Sequence, residues 1–465
     1  MNIVNVKLIV NFNLCKINIK MFKTADFGDD FLWGVAVAAT QIEGAANTHG
    51  KGLSIWDTFS KRTGKVKSGH QPLNACNFYH SYKSDIALVK TIGFKIFRFS
   101  ISWSRILPLG KGLVNEEGIN FYHHVIDECL AEGITPYVTL YHWDLPEELS
   151  KNGGWTSYSI NAEFNEFVML CAKTYGDKVK NWIVINEPFG FTSLGYMLGV
   201  HAPGETGLTN FFSAVKHTAI AQADGGRILR AEVSKANIGT TFSCSEIIPY
   251  TQSDADILAA KRIDCLMNRL FIEPTLGMGF PTAGWDVLEK FTVSHSTWRY
   301  NERMTFDFDF IGLQNYFPLV VKFNAFIPVI QAWEVKAKSR RKPHTAMGWE
   351  INADSFFNIM KQFAAYPIKN IMITENGAAF KDVLKDGKVM DEERIAYFKL
   401  YLSALLKAKN EGINITGYMA WTLMDNFEWA EGYHARFGLV YNDFKTQQRT
   451  IKESGFWWQD FLNAQ

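Results

Sequence analysis

Two carboxylates stand where a purely structural chain has little use for them. Residues 180–188 read Lys-Asn-Trp-Ile-Val-Ile-Asn-Glu-Pro, an apolar run suited to a strand buried on both faces, closing on Asn186, Glu187 and a proline that cannot continue a ladder. Residues 371–377, Ile-Met-Ile-Thr-Glu-Asn-Gly, show the same pattern: a short apolar run ends on Glu375, and Asn376-Gly377 supplies a turn. Burying an unpaired charge is costly, so a glutamate ending a core strand either meets a partner or faces a cavity where chemistry is done. The expectation is that Glu187 and Glu375 face each other across one active site.

Bringing them together takes a scaffold, and the hydrophobic pattern specifies one. Short apolar runs at 31–38, 94–101, 135–141, 182–186, 236–242, 310–315, 371–374 and 417–422 read as strands. Between them, 119–132, 162–175, 255–270, 354–365 and 391–410 carry helical spacing, the last opening with Asp391 at the expected N-cap. Strand and helix in alternation imply parallel pairing with right-handed crossovers.

An open doubly wound sheet and a closed barrel both fit that alternation, and the strand ends separate them. A dinucleotide fold wants a Gly-rich turn after its first strand, whereas Gly34 runs into Val35-Ala36-Val37, and Gly277 and Gly279 do not follow a strand. Polar residues instead close many strands: Gln41 and Glu43, Arg98, His142-Trp143-Asp144, Asn186-Glu187, Gln314-Asn315-Tyr316, Glu375, and Trp421 with Glu428-Trp429 beyond. This predicts an α/β chain folded as a single (β/α)8 TIM barrel over residues 21–465, its site at the carboxyl ends of the strands. No repeat or Pro/Ser/Gly-rich linker divides it, and the long connections 53–75, 191–207, 243–254, 275–307 and 317–347 are expected to wall the cleft.

Composition excludes other classes. The 48 basic residues balance 47 acidic ones, leaving no excess charge to condense on nucleic acid or an anionic membrane. The densest basic run, 336–342, reads as a solvated loop. Cys15, Cys76, Cys129, Cys171, Cys244 and Cys265 lie far apart, without zinc spacing or disulfide density, which favours a reducing, cytoplasmic setting. No apolar run approaches the roughly 18 residues of a spanning helix. Residues 1–20 read as a loosely attached, disordered extension rather than a secretory signal, because Asn11, Asn13 and Lys16 interrupt the apolar run and no small-residue cleavage site comes after it. Aromatics reach 14%, more than an average core needs, and aromatic rings are what sugar faces stack on.

At this point the residues resemble a known family. Phe31-Leu32-Trp33-Gly34, Gln41-Ile42-Glu43-Gly44, Tyr141-His142-Trp143-Asp144-Leu145-Pro146, Asn186-Glu187-Pro188, Thr374-Glu375-Asn376-Gly377 and Asp425-Asn426-Phe427-Glu428-Trp429 look like glycoside hydrolase family one, the β-glucosidase family, from about residue 26 to the end. The resemblance implies hydrolysis of terminal β-glucosyl, galactosyl or fucosyl residues by double displacement through a covalent glycosyl-enzyme, acting on β-glucosides or short oligosaccharides as in cellulose degradation. It implies Glu187 as acid/base and Glu375 as nucleophile, with Arg98 and Tyr316 supporting the nucleophile. It places Gln41, His142, Trp143, Asn186, Gln314, Tyr316, Trp421, Glu428, Trp429 and Phe437 with the substrate and Trp349 on the aglycone side. It implies no metal and no cofactor, and a small-molecule β-glycoside as the partner.

Such chemistry needs two carboxyls, about 5–5.5 Å apart in a retaining enzyme, one attacking the anomeric carbon and the other donating and later removing a proton. Arg98 beside Glu375 is expected to hold it ionised, while Glu187, beside neutral Asn186, stays protonated. The sequence departs from the family pattern at Gln314, where Asn is usual, at Val184 and Val37, where Thr is usual, and over 221–230, which matches the family's helix poorly. A glycan-binding barrel without activity and a transglycosidase using the same two glutamates are the alternatives. Glycone preference, aglycone and oligomeric state are not legible.

Overall fold

The computed structural model describes residues 3–7, 16–20, 22–281 and 300–464. Eight parallel strands close into a barrel in chain order: β1 (Leu32–Ala36), β2 (Ile96–Ser100), β3 (Thr135–Tyr141), β4 (Asn181–Asn186), β5 (Asn237–Ser243), β6 (Phe310–Gln314), β7 (Ile371–Asn376) and β8 (Ile415–Trp421), which pairs back onto β1. Helices α1 (Phe78–Ile92), α2 (Glu116–Ala131), α3 (Ile160–Tyr175), α4 (Leu208–Glu232), α5 (Asp254–Asp264), α6 (Ala353–Ala364), α7 (Glu392–Asn410) and α8 (Glu453–Asn463) come after the strands in turn. The expected strands are all present, with β7 extending through Glu375 and Asn376.

The strands are continuous in apolar residues because both faces are covered: every residue of β2, β6 and β7 is buried. Inside the barrel, Ile96, Tyr137, Ile183, Phe310, Met372 and Met419 meet around the small Ala36. Phe310 fits because β5 carries a glycine opposite, where a Cβ on Gly239 would lie 2.3 Å from the ring. Truncating Phe310 to alanine removes a large inward side chain at a cost of about 3–5 kcal/mol.

Where the local reading and the fold differ, tertiary contacts explain the difference. The helix expected over 255–270 stops as α5 at Asp264, and a π-helical turn, Cys265–Arg269, continues it. Asp391 occupies the N-cap of α7, but its carboxylate turns away to accept from Ser454 N at 2.8 Å and to pair with Arg394. Residues 221–230 lie within α4 despite Gly225-Gly226, each costing an exposed helix about 1 kcal/mol. Both are buried at contacts that admit no side chain: a Cβ would come 2.6 Å from Val184 Cγ1 at Gly225 and 2.6 Å from the Phe306 ring at Gly226. The glycine at 225 is thus set by its approach to Val184 and that at 226 by its approach to Phe306.

The basic run 336–342 is not uniformly solvated, since Arg340 turns inward to Glu350 at 2.5 Å and donates to Val335 O. Of the first twenty residues, Ile3–Lys7 pairs antiparallel with Lys16–Lys20. Cys15, Met21 and the centre of connection 275–307 fall outside the described residues. The other five cysteines are buried free thiols, and no helix among the described residues is long and apolar enough to cross a membrane.

Candidate active site

Irregularities in the ladder aim both glutamates. The register of β4 against β5 shifts between Ile183 and Asn186, and that of β7 against β6 shifts between Ile373 and Glu375. Such shifts break the two-residue alternation of side chains and re-aim those beyond them. Glu187 then takes a left-handed conformation, φ 44° and ψ 66°, at the N-cap of a short helix, Pro188–Thr192, whose proline occupies a position where its missing N–H is no loss. Beside Glu375, Gly377 is required by a close approach, for a Cβ there would lie 1.9 Å from the Trp421 carbonyl oxygen.

Both glutamates line one cavity of about 380 Å³, together with His142, Trp143, Tyr316, Trp349, Trp421, Glu428, Trp429 and Phe437. Arg98, Asn186, Gln314 and Gln41 stand behind this wall, fully buried, each bonded to a wall residue.

Arg98 organises the floor. Its Nη1 donates to Glu375 Oε1 at 2.6 Å, its Nη2 to Asn186 Oδ1 at 2.5 Å and its Nε to Thr139 Oγ1 at 3.1 Å. Gln314 Nε2 bridges the same two groups, at 2.9 Å from Glu375 Oε1 and 2.7 Å from Asn186 Oδ1. Tyr316 OH donates to the other Glu375 oxygen at 2.7 Å. The Glu375 carboxylate is thus held by three donors, and charge-assisted bonds of this kind are the stronger ones. Asn186 Oδ1 is satisfied by Arg98, Gln314 and Thr241, so its Nδ2 faces His142 Nε2 at 3.0 Å. With Nε2 accepting, the proton of a neutral imidazole sits on Nδ1.

The electrostatics separate the two acids. Burial raises the Glu187 carboxyl well above its ordinary value, and repulsion from Glu375 adds to it, with only a hydrogen bond from Ser243 and the more distant Arg98 opposing. Burial raises Glu375 also, but Arg98 and Tyr316 pull it back, so it lies below its neighbour. Glu428 is pushed up to about 8 by burial and by Glu375, against the hydrogen bond from Gln41. Burial and Arg98 drive His142 well below its usual value, leaving the ring neutral. Burial and Glu375 keep the Tyr316 phenol protonated as a donor.

The aromatic walls are ordered by the same loops. The His142 ring lies nearly parallel to Trp421 at 24° and to Trp429 at 28°. Trp143 Nε1 donates to Asn186 O at 2.9 Å, and its ring passes where a side chain on Gly190 would be. Phe317 and Trp349 stack at 4.9 Å.

Some strand-end polar residues do not join the cavity. Glu43 turns to Arg105 at 2.8 Å and Tyr122 at 2.5 Å, fixing the loop that carries Gln41. Asp144 is fully buried with neither oxygen in good hydrogen-bond geometry, and burial lifts it to about 7 against the pull of the Ser102 hydroxyl. Asp425 anchors the loop bearing Glu428 through Lys452 at 2.6 Å and Arg436 at 2.6 Å. Thr139, Thr241 and Ser243 also serve the site without a sequence signal, because single hydroxyls in β-rich stretches are too common to mark one; the adjacent pair Thr240-Thr241 in the middle of a strand is the available hint.

Comparison with known proteins places the chain in a family. The glycosyl hydrolase family 1 model matches residues 23–465. The chain is 41% identical over 442 residues to beta-glucosidase A of Thermotoga maritima, covering 94% of this chain and 97% of the relative. It is 40% identical to a 1,4-beta-D-glucan glucohydrolase of Thermotoga neapolitana, covering 94% and 98%. Its fold superposes on the Thermotoga maritima family 1 glycoside hydrolase complexed with a cyclophellitol analogue at a TM-score of 0.90, with 40% identity and coverage of 94% and 98%. The AHE enzyme of Alicyclobacillus herbarius superposes at 0.91, with 37% identity and coverage of 96% and 98%. The chain belongs to glycosyl hydrolase family 1 and is, by that membership, an O-glycosyl hydrolase.

Proposed function

We propose that this protein is a retaining β-glucosidase that removes terminal β-D-glucosyl residues, with Glu375 as nucleophile and Glu187 as acid and base. The observation that carries the assignment is the asymmetry of the two carboxyls on one cavity: Arg98, Gln314 and Tyr316 all donate to Glu375, whereas Glu187 is raised by burial and by that same neighbour.

Glu375 attacks the anomeric carbon while Glu187 protonates the departing oxygen, and an ester forms between Glu375 and the sugar. Esterification removes the Glu375 charge, so the repulsion that raised Glu187 disappears and the freed carboxylate deprotonates the incoming water. No group outside the chain is needed for either proton transfer.

Recognition falls to His142 Nδ1 on the cavity wall and, directly behind that wall, to Gln41 Oε1 and Gln314 Oε1, all three without a protein partner. Two acceptors and, by the tautomer argument, one donor suit the hydroxyls of a pyranose, with Glu428 taking two more and Trp421 and Trp429 covering the apolar face. A glucose-sized ligand accords with the Thermotoga maritima β-glucosidase, solved with deoxynojirimycin. Residues 21–465 act as one catalytic domain in the cytoplasm, the first twenty being an extension outside it.

The test is to follow hydrolysis of an aryl β-D-glucoside by proton NMR. β-Glucose is expected as the first product, with α-glucose appearing only by mutarotation. α-Glucose first would remove the nucleophile assignment, and no hydrolysis between pH 4 and 9 would leave glycan binding as the function.

A further inference from the structure

The loop that carries Glu428 and Trp429 turns back sharply. Trp429–Glu431 is a single 3-10 turn, Glu428 N donates to Gly432 O at 2.7 Å, and Trp429 takes a left-handed conformation at φ 44°. A bulky residue in that region is strained and stays there only where its surroundings over-determine it. Here the surroundings include residues 67–71 of the connection 53–75, none of which lines the cavity. Tyr433 N donates to His70 Nδ1 at 3.0 Å, and Tyr433 OH donates to Gln71 O at 2.9 Å. The His70 ring also fills the space beside Gly432, where a Cβ would lie 2.6 Å from Nδ1. The Lys67–Glu431 ion pair crosses between the same two loops at 3.1 Å, but it is exposed, and such pairs contribute little.

A backbone N–H can only donate, so His70 Nδ1 must accept, and the proton of the neutral ring sits on Nε2. A protonated ring would carry hydrogen on both nitrogens and face the Tyr433 N–H donor to donor. The titratable groups facing His70 offer that charge no free carboxylate. Glu431 is paired with Lys67, Arg436 donates to Asp425 at 2.6 Å, and burial keeps the Tyr433 phenol protonated. The His434 ring stacks on His70 at 5.0 Å and 24°, with its Nε2 2.8 Å from Ser68 Oγ. Burial and His434 together hold the half-buried His70 below its usual value.

We propose that His70 is a positioning residue for sugar binding: through the Tyr433 N–H and Gly432 it holds the turn that presents Glu428 and Trp429 to the glycone, and protonation of its ring loosens that turn. This rests on the β-glucosidase reading. The experiment measures Kd for deoxynojirimycin at pH 7.5 and 4.5, with hydrogen exchange over residues 428–434, in the wild type, His70→Asn and His70→Phe. Asparagine puts an acceptor that does not titrate where Nδ1 stood, and phenylalanine keeps a ring with no acceptor. Ratios between variants cancel the titration of the ligand and of Glu187, Glu375 and Glu428, which all three share. At pH 7.5, His70→Phe is expected to weaken binding about fivefold or more and to speed exchange in 428–434, and His70→Asn to stay within about twofold of the wild type. At pH 4.5 the ratio of the wild-type Kd to that of His70→Asn should rise at least about threefold, while the ratio of His70→Phe to His70→Asn should hold.

A His70→Phe variant that binds as the wild type does, or a ratio of wild type to His70→Asn that ignores pH, overturns the inference. Faster exchange across the whole chain in both variants overturns it too, since His70 would then support the fold at large and not this turn. A wild type that neither binds deoxynojirimycin nor hydrolyses an aryl β-D-glucoside, while exchange in 428–434 still responds to His70→Phe, would instead overturn the β-glucosidase reading itself.

Discussion

Arg98 Nη1 lies 2.6 Å from Glu375 Oε1, the guanidinium fully buried and the carboxylate open only to the cavity. A buried ion pair contributes little net stability, but removing one partner leaves the other charge stranded, at a cost of about 3–5 kcal/mol. The pair therefore has its use in chemistry, where it keeps a buried carboxyl available for attack.

Arg98→Met takes away the largest influence opposing burial at Glu375. The Glu375 carboxyl should rise, moving the acid limb of kcat/KM to higher pH, and kcat/KM at its optimum should fall about 10²–10³-fold. A pH–rate profile checks this. An unmoved acid limb would mean that Arg98 only holds Asn186 in place.

Glu375→Gln removes the charge that helps raise Glu187. The Glu187 carboxyl should titrate at lower pH in this variant than in the wild type, as it should also in the glycosyl-enzyme. Carbonyl infrared difference spectra across pH 4 to 9 read it directly. A pair of coupled acids has macroscopic steps that belong to both groups, and removing one partner isolates the other.

Glu187→Gln leaves no acid for the departing oxygen. Dinitrophenyl β-glucosides, whose leaving group needs no proton, should lose little in the first step, while alkyl β-glucosides should lose about 10³-fold or more. Equal losses for both would show that Glu187 is not the acid.

Asp144→Asn tests a buried carboxyl with no well-formed bond. Its pKa of about 7 in the fold exceeds the roughly 3.9 of an unfolded chain, so the folded state binds more protons between those values and loses stability as pH rises through them. The asparagine variant should gain stability relative to the wild type from pH 4 to 7, by a few kcal/mol at most, and hold that gain above pH 7. Calorimetric Tm values at pH 4.5 and 8 decide it, since a gain independent of pH would contradict the titration.

Glu187 and Glu375 are legible because each ends an apolar run, where a charge is too costly to be accidental. Arg98 and Gln314 can be placed at strand ends, but no local pattern records which strand ends converge: only the family resemblance directed Arg98 to Glu375, which it meets at 2.6 Å, and Gln314, expected with the substrate, also lies 2.9 Å from that carboxylate. The π-turn at Cys265–Arg269 reads as plain helix over 255–270, because one inserted residue barely disturbs an amphipathic pattern while it turns Met267 into the cleft. The Gly225-Gly226 step reads as poor helix in isolation, and only its neighbours Val184 and Phe306 account for it.

Strand number, alternation with helices and the positions of the two acids all follow from the order of apolar and polar residues, since burial acts on each short segment wherever it lies in the fold. The inequality between those acids does not. It arises from Arg98 on β2 and Tyr316 beyond β6, which both donate to Glu375 on β7 and not to Glu187 after β4. Charges interact through space, so only closure of the barrel sets the unequal surroundings of the two carboxyls on which their proposed roles rest.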